Sequence, residues 1–351
     1  MLNSLYVEAA RKKDSLRNIE IEIDSQSTIS NRWENIQIKP SSQEFSLAAG
    51  DGSFNKKKFL SFTFYAVGCE SIIYDGELHK LEAAEIDNIP HHEFIDYLLR
   101  TFMGVLELKY AIKSIEDMEV DYYLYDGSLF GDLIRPFPNG VSISKTKQQE
   151  ILDKTIDELR EGVEYFNSKI YSLKLIRNYY ANNPKQFDNT MFLSSIEKLI
   201  LLKNLLANKR RIISISKTST NCDMFNSNVP DMALFDKYTK KSGISDIYYK
   251  KVSKEVKHKF PVENDYFKDL EFTIFYLRLD DYKNVIKVEL PYRATREDIL
   301  DIVEKLKKYS ADGYPYLLKK AHKEVVITNR NMDELASILN VNEKIGREML
   351  R

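Results

Sequence analysis

The stretch "SLAAGDGSFNKKKFLSFTFYAVG", residues 46–68, places an Asp-Gly-Ser tripeptide among residues that are typical of β-strands. The same tripeptide returns beside an apolar run in "DYYLYDGSLFGDL", residues 121–133. Asp and Gly both tolerate the positive φ of a tight turn, so each copy taken alone predicts a hairpin turn. The surrounding sequence therefore has to decide whether Asp51 and Asp126 mark two turns or two halves of one site.

Residues 45–87 predict three consecutive strands, and Asp51, which precedes the first segment quoted below, is placed in the first strand. The strand segments are "FLSFTFYAVG" (59–68), "SIIYD" (71–75) and "ELHKLEAAEI" (77–86). Asp75-Gly76 stands between two of these segments, so it is predicted to be only a hairpin turn.

A long helix is predicted after Pro90, in "HHEFIDYLLRTFMGVLELKYAIKSI", because its apolar residues recur at helical spacing. The apolar segment "EVDYYLYDGSL" then predicts a fourth strand. The predicted order of this region is therefore β-β-β-α-β.

Charged helical sequence extends from about Thr146 to Asn208 and breaks at "ANNPKQFDN", which predicts a helical hairpin inserted into the domain. "RRIISISKTS" predicts a fifth strand, and residues 272–292 predict a β-hairpin that turns between Asp280 and Asn284. Helical segments follow to the C terminus. We predict one α/β domain over residues 1–351, with residues 146–208 as a helical insertion.

The charge of the chain is balanced, with 52 basic against 53 acidic side chains and a net charge of −1. This balance argues against a uniformly basic, histone-like DNA-binding protein, so contact with nucleic acid would depend on local clusters. The candidates, which could equally be solvated charged faces, are Lys56–Lys58, Lys209–Arg211 and Lys250–Lys259.

Two cysteines, Cys69 and Cys222, lie far apart in the sequence, which argues against a disulfide framework and a thiolate zinc site. The longest apolar runs are shorter than 18 residues, so no membrane-spanning helix is expected. The N-terminal residues predict an amphipathic helix without a signal-peptide core. A reducing cytoplasm is the expected compartment.

Several phosphate-binding and hydrolytic motifs are missing from the sequence. It contains no Gly-x4-Gly-Lys-Ser/Thr loop, no Gly-x-Gly-x-x-Gly and no Gly-x-Ser-x-Gly. His91 and His92 are adjacent, and neighbours in a helix do not share a face, so they form a poor metal-binding pair. We interpret them as residues at the start of the helix.

What remains is a set of carboxylates on different elements. Asp51 on the first strand, Glu107 within the helix and Asp126 at the end of the fourth strand could converge on one point. Two divalent cations about 3.5–4 Å apart need several oxygen ligands of this kind. Glu107 borders the apolar stripe of its helix, where Arg100 could offset its charge, whereas Glu116 and Glu119 are expected to be exposed.

The element order and the acidic positions resemble the ribonuclease H-like fold, and more specifically the NurA nuclease family of archaea and bacteria. The resemblance rests on four blocks in the family's order, spanning about residues 45–340. They are "GDGSF", "YLYDGSLFGDL", "IISISKTS" and "GYPYLLKKAHKEV". The chain departs from the family at one place. Family members usually have a strongly apolar strand before the first Asp, whereas this chain has Ser-Leu-Ala-Ala-Gly, in which Gly50 weakens strand propensity.

The resemblance implies metal-binding roles for Asp51 and Asp126, and it implies a third carboxylate, which we place at Glu107. It also implies three further site residues: Lys217, to contact substrate phosphate or steady the site, together with Tyr314 and the metal ligand His322. Each of these has a plain structural alternative. Lys217 could be an exposed strand end, Tyr314 could pack beside a proline, and His322 could be an ordinary surface or core histidine.

Members of this family are manganese-dependent nucleases that degrade DNA 5′ to 3′, act as homodimers and work with the HerA helicase in preparing DNA ends for recombination. The resemblance implies the same here, with Mn²⁺ or alternatively Mg²⁺, two ions at each site, and single-strand endonuclease activity as an addition. A metal-activated water would attack the phosphodiester, and the second metal would stabilise the leaving 3′-oxygen.

Two other functions stay open. A catalytically silent DNA-clamp or adaptor subunit of a motor ATPase would keep the fold while losing the metal, although the retained acidic positions argue against it. A different ribonuclease H-like nuclease, structure-specific or directed at RNA, is the second alternative.

Overall fold

The structure is a computed structural model that describes residues 2–17, 26–137, 143–164, 169–180 and 186–341. These residues form a large mixed sheet with helices on both faces. This architecture confirms the predicted mixed α/β class. No described helix is both long enough and apolar enough to cross a lipid bilayer.

Twelve strands and thirteen α-helices are found among the described residues. The strands are β1 (Trp33–Asn35), β2 (Leu47–Lys58), β3 (Thr63–Tyr74), β4 (Leu78–Ile89), β5 (Tyr122–Asp126), β6 (Ile212–Ser216), β7 (Gly243–Ser245), β8 (Tyr248–Lys251), β9 (Glu271–Arg278), β10 (Ile286–Leu290), β11 (Ser310–Ala311) and β12 (Tyr314–Pro315). The helices are α1 (Asn3–Arg17), α2 (Gln26–Ser30), α3 (Ile95–Glu116), α4 (Leu129–Ile134), α5 (Lys145–Glu164), α6 (Tyr171–Tyr180), α7 (Gln186–Ala207), α8 (Asp231–Tyr238), α9 (Val252–Glu255), α10 (Asn264–Asp269), α11 (Arg296–Lys308), α12 (Tyr316–Glu324) and α13 (Asn329–Ile338).

The large sheet has the strand order β1-β7-β9-β10-β6-β5-β2-β3-β4, with β8 also paired to β9. β5 lies between β2 and β6 and is parallel to both of them. Gly50 is paired with Tyr125, so the next residues on the two strands, Asp51 and Asp126, lie at the same level. The predicted β-β-β-α-β order is present as β2, β3, β4, α3 and β5.

The predicted boundaries of the first strands are wrong. Residues 59–68 and 71–75 were expected as two strands, but Thr63–Tyr74 is one continuous strand, β3. Cys69 and Glu70, which resembled a break, are extended and paired with Gly52 and Asp51. The turn lies earlier, where the Phe59 amide donates to the Phe62 carbonyl, so residues 47–58 form the first strand of the meander.

The sheet separates two apolar layers. α3 and helices α5–α7 pack on one face, and α11 and α12 pack on the other. β2 shows the alternation that this requires: Ala48 belongs to the first layer, and Leu47 and Ala49 belong to the second. Asp51 therefore points to the face that carries α12.

The predicted helical hairpin between residues 146 and 208 is three helices. One long helix was expected over residues 147–180, but α5 ends at Glu164 and α6 begins at Tyr171. The middle of this junction, and the first five residues of the predicted breaker, lie outside the described residues. The later predictions are confirmed, since β6, the β9–β10 hairpin and α11–α13 all form where expected.

His91 and His92 precede α3, which begins at Ile95, so their predicted place inside the helix is wrong. His91 Nδ1 lies 2.9 Å from Thr63 Oγ1. The ring of His92 stacks on Phe187, with the ring centroids 3.6 Å apart. The two histidines therefore attach the segment before α3 to β3 and to α7.

Gly50 has a packing role that explains the departure from an apolar strand. A Cβ at this position would collide with the hydroxyl group of Tyr123 on β5. Tyr123 is itself only 2% exposed, so it has little room to move. Gly50 therefore allows a tyrosine to lie across the strand that carries Asp51.

We predict that Gly50→Ala lowers the free energy of unfolding by about 1–3 kcal/mol, because the added methyl group overpacks a buried site. Gly68→Ala is the matched control on β3, where a Cβ would lie at an ordinary 3.5 Å from the Ala83 carbonyl oxygen. Chemical denaturation of both variants measures the difference, and equal stabilities would contradict the assigned role of Gly50.

Candidate metal centre

Asp51 does not lie in a turn. It is paired with Glu70 inside the β2–β3 ladder, and Gly52 is not among the glycines with positive φ. Its side chain is 13% exposed. Oδ1 accepts a hydrogen bond from the Gly52 amide at 2.8 Å, which leaves Oδ2 facing α12. The first Asp-Gly-Ser is thus part of a strand, with its carboxylate directed at a helix.

Asp126 is the last residue of β5, and the chain turns immediately after it at Gly127, whose φ is 127°. Asp126 Oδ2 accepts a hydrogen bond from Lys217 Nζ at 2.7 Å. Lys217 follows the last residue of β6, so the parallel β5–β6 pair brings the two side chains to one edge. Burial raises the pKa of Asp126, and Lys217 opposes part of this increase.

His322 brings a nitrogen ligand to the two aspartates. It lies on α12, and its Nδ1 is 2.6 Å from Asp51 Oδ2. One ligand atom from each of Asp51, Asp126 and His322 lies within 4.8 Å of the other two. His322 is 64% exposed, so it is not a core histidine. Two carboxylates and one imidazole from three different elements could hold a divalent cation.

Glu107 approaches the same region from the opposite face of the sheet. It lies on α3, and a Cβ on Gly52 would collide with its Oε1 atom, so the glycine leaves the space that Glu107 occupies. It is not one of the three residues that meet within 4.8 Å. Burial, followed by the charge of Asp51, raises the pKa of Glu107 to about 8. The carboxyl group therefore lies where its charge is poorly solvated.

The positive charge near Glu107 differs from the expected one. Arg100 was predicted to offset this carboxylate, but Arg100 is exposed on α3. The cation that lowers the pKa of Glu107 is Lys198 of α7. The side chain of Lys198 passes α3 at Gly104, and its Nζ donates to Asp132 Oδ1 at 2.9 Å. The sequence could not reveal that Lys198 lies near Glu107, because this proximity depends on the packing of α7 against α3.

Tyr314 lies beside the aspartates in the short β11–β12 hairpin. Its hydroxyl group is buried and has no hydrogen-bond partner among the described residues. Burial, and then the charges of Asp126 and Asp51, raise the pKa of Tyr314. Lys217 Nζ lies 5.6 Å from the centre of its ring. A buried hydroxyl without a partner is costly, so this donor is suited to a bound oxygen ligand.

The serine of the first Asp-Gly-Ser also has a partner. Ser53 Oγ accepts a hydrogen bond at 3.0 Å from the amide of Ile327, which follows α12. This bond ties the helix of His322 to the strand of Asp51.

Three further predictions concern residues outside the group of Asp51, Asp126 and His322. Glu116 and Glu119 are exposed, and Asp75-Gly76 is a turn with φ of 114° at the glycine. In two of the three basic clusters, Lys56–Lys58 and Lys250–Lys259, some cations already have acidic partners: Lys56 pairs with Asp96, Lys57 with Asp333 and Lys250 with Asp223.

Comparison with known proteins relates the chain to one family. The model of the NurA domain matches residues 45–327. A protein of Methanocaldococcus jannaschii named probable DNA double-strand break repair nuclease NurA is 32% identical over 88% of this chain and 82% of its own length. The DNA double-strand break repair nuclease NurA of Saccharolobus solfataricus is 27% identical over 84% of this chain and 79% of its own length.

Solved structures give the same picture for the fold. The crystal structure of the NurA nuclease from Sulfolobus solfataricus has a TM-score of 0.74 at 23% identity and covers 97% of both chains. A crystal structure of NurA bound to dAMP and manganese has a TM-score of 0.69 at 18% identity, covering 99% of this chain and 100% of that one.

The raised pKa of Glu107 predicts how stability depends on pH in metal-free protein. Between the ordinary value of 4.5 and about 8, the folded state keeps a proton that the unfolded state releases. The contribution of Glu107 to the free energy of unfolding is therefore greatest below pH 4.5, and it is lost as the pH rises towards 8. Glu107→Gln should flatten this loss, as measured by thermal denaturation in chelator at several pH values.

Glu116→Gln is the matched control for that measurement, because Glu116 is the exposed last residue of the same helix. It should leave the pH profile of the wild type unchanged. Superimposable profiles for wild type and Glu107→Gln would show that Glu107 is not protonated in the folded state.

Proposed function

The chain belongs to the NurA family, and from this premise we propose that it is a metal-dependent nuclease that cleaves DNA. The observation that carries the proposal is the meeting of Asp51, Asp126 and His322 within 4.8 Å. The names of the M. jannaschii and S. solfataricus relatives, which are DNA double-strand break repair nucleases, support the reaction and the substrate.

Mn²⁺ is the proposed metal, with Mg²⁺ as the alternative and two ions at each site. Carboxylate and imidazole donors suit Mn²⁺, and NurA crystal structures with manganese, and with dAMP and manganese, support this choice. Bound divalent ions supply Lewis-acid activation of the phosphate and of water. Asp51, Asp126 and His322 would hold the metal, and Glu107 would add a carboxylate from α3.

The remaining residues are proposed to act on the substrate. Lys217 is held by Asp126 and is 39% exposed, so its ammonium group can reach a phosphate oxygen while the carboxylate stays in place. The buried hydroxyl of Tyr314 can donate a hydrogen bond to an oxygen at the centre. Both groups would orient the phosphodiester against the residues that hold the metal.

We assign the fold to the ribonuclease H-like class and the chain to one nuclease domain with residues 146–208 as an insertion. The order β2, β3, β4, α3, β5 supports the class, and the family match over residues 45–327 extends across the insertion. The proposed activity is 5′-to-3′ exonuclease action in DNA end resection, with single-strand endonuclease activity in addition. A silent clamp subunit of a motor ATPase is the alternative.

Asp51→Asn and Asp126→Asn should each abolish cleavage, because an amide cannot replace a carboxylate as an anionic metal ligand. Cleavage of end-labelled single- and double-stranded DNA, with Mn²⁺ and with excess chelator, measures the activity and its polarity. The chelator should stop cleavage by the wild type.

Asp75→Asn is the matched control, since Asn-Gly forms the same turn as Asp75-Gly76. It should cleave like the wild type. Undiminished cleavage by Asp51→Asn or Asp126→Asn, or by wild type in chelator, would refute the metal centre. A wild type that binds DNA but never cleaves it would favour the clamp subunit.

We also propose that the protein forms a homodimer and binds a HerA-type helicase. Family membership supports this, as do Leu5, Tyr6 and Val7, which expose 57–69% of their surface on α1. Light scattering at micromolar concentration should give the mass of a dimer, and the protein should co-purify with the helicase. A monomeric mass together with failure to co-purify would contradict the proposal.

A further inference from the structure

The turn after Asp126 rests on a buried carboxylate, Glu289 of β10. Glu289 is fully buried. Its Oε1 accepts a hydrogen bond from Ser128 Oγ at 2.7 Å, and its Oε2 accepts one from the Phe130 amide at 3.0 Å. Ser128 also caps α4 by accepting from the Gly131 amide. Glu289 therefore contacts the second Asp-Gly-Ser from inside the protein.

The charge of Glu289 is balanced by Lys287, two residues earlier on the same strand. Lys287 Nζ lies 2.6 Å from Glu289 Oε1, and Lys287 is only 5% exposed. Burying two charges costs desolvation energy that their attraction seldom exceeds, so an ion pair of this kind is a poor source of stability. The contacts of Glu289 with Ser128 and Phe130 suggest instead that the carboxylate fixes the turn after Asp126.

Ser214 of β6 completes the support of the turn. It lies opposite Glu289 in the β6–β10 register. Its Oγ donates to the Gly127 carbonyl at 2.7 Å and accepts from the Leu129 amide at 3.1 Å. The Gly127 amide in turn donates to the Ile215 carbonyl. The backbone that follows Asp126 is thus fixed by the neighbouring strands rather than by solvent.

We propose that Glu289 is a positioning residue for Asp126, acting through Ser128 and the turn. The inference rests on the proposed role of Asp126 as a metal ligand. A carboxylate at a strand end can rotate with its backbone, and Asp126 must face Lys217 and the ligand atoms of Asp51 and His322 at once. Glu289 fixes the backbone, so that the carboxylate is in place before a metal binds.

The test is the affinity of the full-length protein for Mn²⁺, measured by the electron paramagnetic resonance signal of free Mn²⁺ during a titration. Glu289→Gln keeps the shape of the side chain but replaces one of its two acceptor oxygens by an NH2 group, so it can no longer accept from both Ser128 and Phe130. Losses of about 10–100-fold are typical when a residue that hydrogen-bonds a metal ligand directly is removed. Because Glu289 acts on Asp126 through Ser128 and the turn, we expect a loss at the lower end, about 10-fold. Cleavage should recover in part at saturating Mn²⁺.

Asp231→Asn is the matched control. Asp231 is also fully buried, and its two carboxylate oxygens likewise accept from two different donors, the amides of Met224 and Phe225, at 3.0 and 3.2 Å. It lies beside a separate apolar cluster that includes Trp33 and Phe235. This variant should lower the melting temperature while leaving the affinity for Mn²⁺ unchanged.

Two further variants keep the test decisive if Glu289→Gln does not fold. Lys287→Met combined with Glu289→Gln removes the unpaired buried ammonium group. Ser128→Ala removes one link to the turn at a half-buried site. Both should weaken Mn²⁺ binding in the same direction, and Ser128→Ala should do so with a smaller loss of melting temperature.

Affinity within twofold of wild type in the folded variants, with only the melting temperature lowered, would overturn the inference. Asp126→Asn separates this failure from that of the proposed function. If Asp126→Asn weakens Mn²⁺ binding but the Glu289 and Ser128 variants do not, only the positioning role fails. If Asp126→Asn has no effect on Mn²⁺ binding, the metal centre itself fails.

Discussion

The parallel pairing of β5 with β2 is the constraint on which the candidate centre depends. It sets Asp51 and Asp126 level on neighbouring strands and directs both carboxylates to the face that carries α12. Two carboxylates at this distance repel each other, so the arrangement needs positive charge. Lys217 supplies it to Asp126, His322 lies against Asp51, and a divalent cation would neutralise both.

On the opposite face of β2, two glycines beside Asp51 make room for side chains from β5 and α3. Because Gly50 and Gly52 lack side chains, Tyr123 and Glu107 can approach the backbone beside Asp51. Glu107 then lies in surroundings that favour its protonated form until a cation or a base changes the balance. The glycines that weaken the strand are therefore the ones that allow groups from both sides of the sheet to reach one place.

Much of this could be predicted from the sequence. The alternation and turn residues predicted the element order, and the repeated tripeptide pointed to Asp51 and Asp126, which the structure brings together, because these are local signals. The continuity of β3 through Cys69 and Glu70 could not be predicted, since it depends on their pairing with β2 on one side and β4 on the other. Lys198 and Glu289 were missed for a related reason. Their roles depend on packing between elements distant in the sequence.

The most direct test of the metal centre is anomalous diffraction from crystals of the wild-type protein soaked in Mn²⁺. We expect an anomalous peak at coordination distance from the carboxylates of Asp51 and Asp126 and from the ring of His322. Manganese bound elsewhere, with no peak among these three side chains, would contradict it.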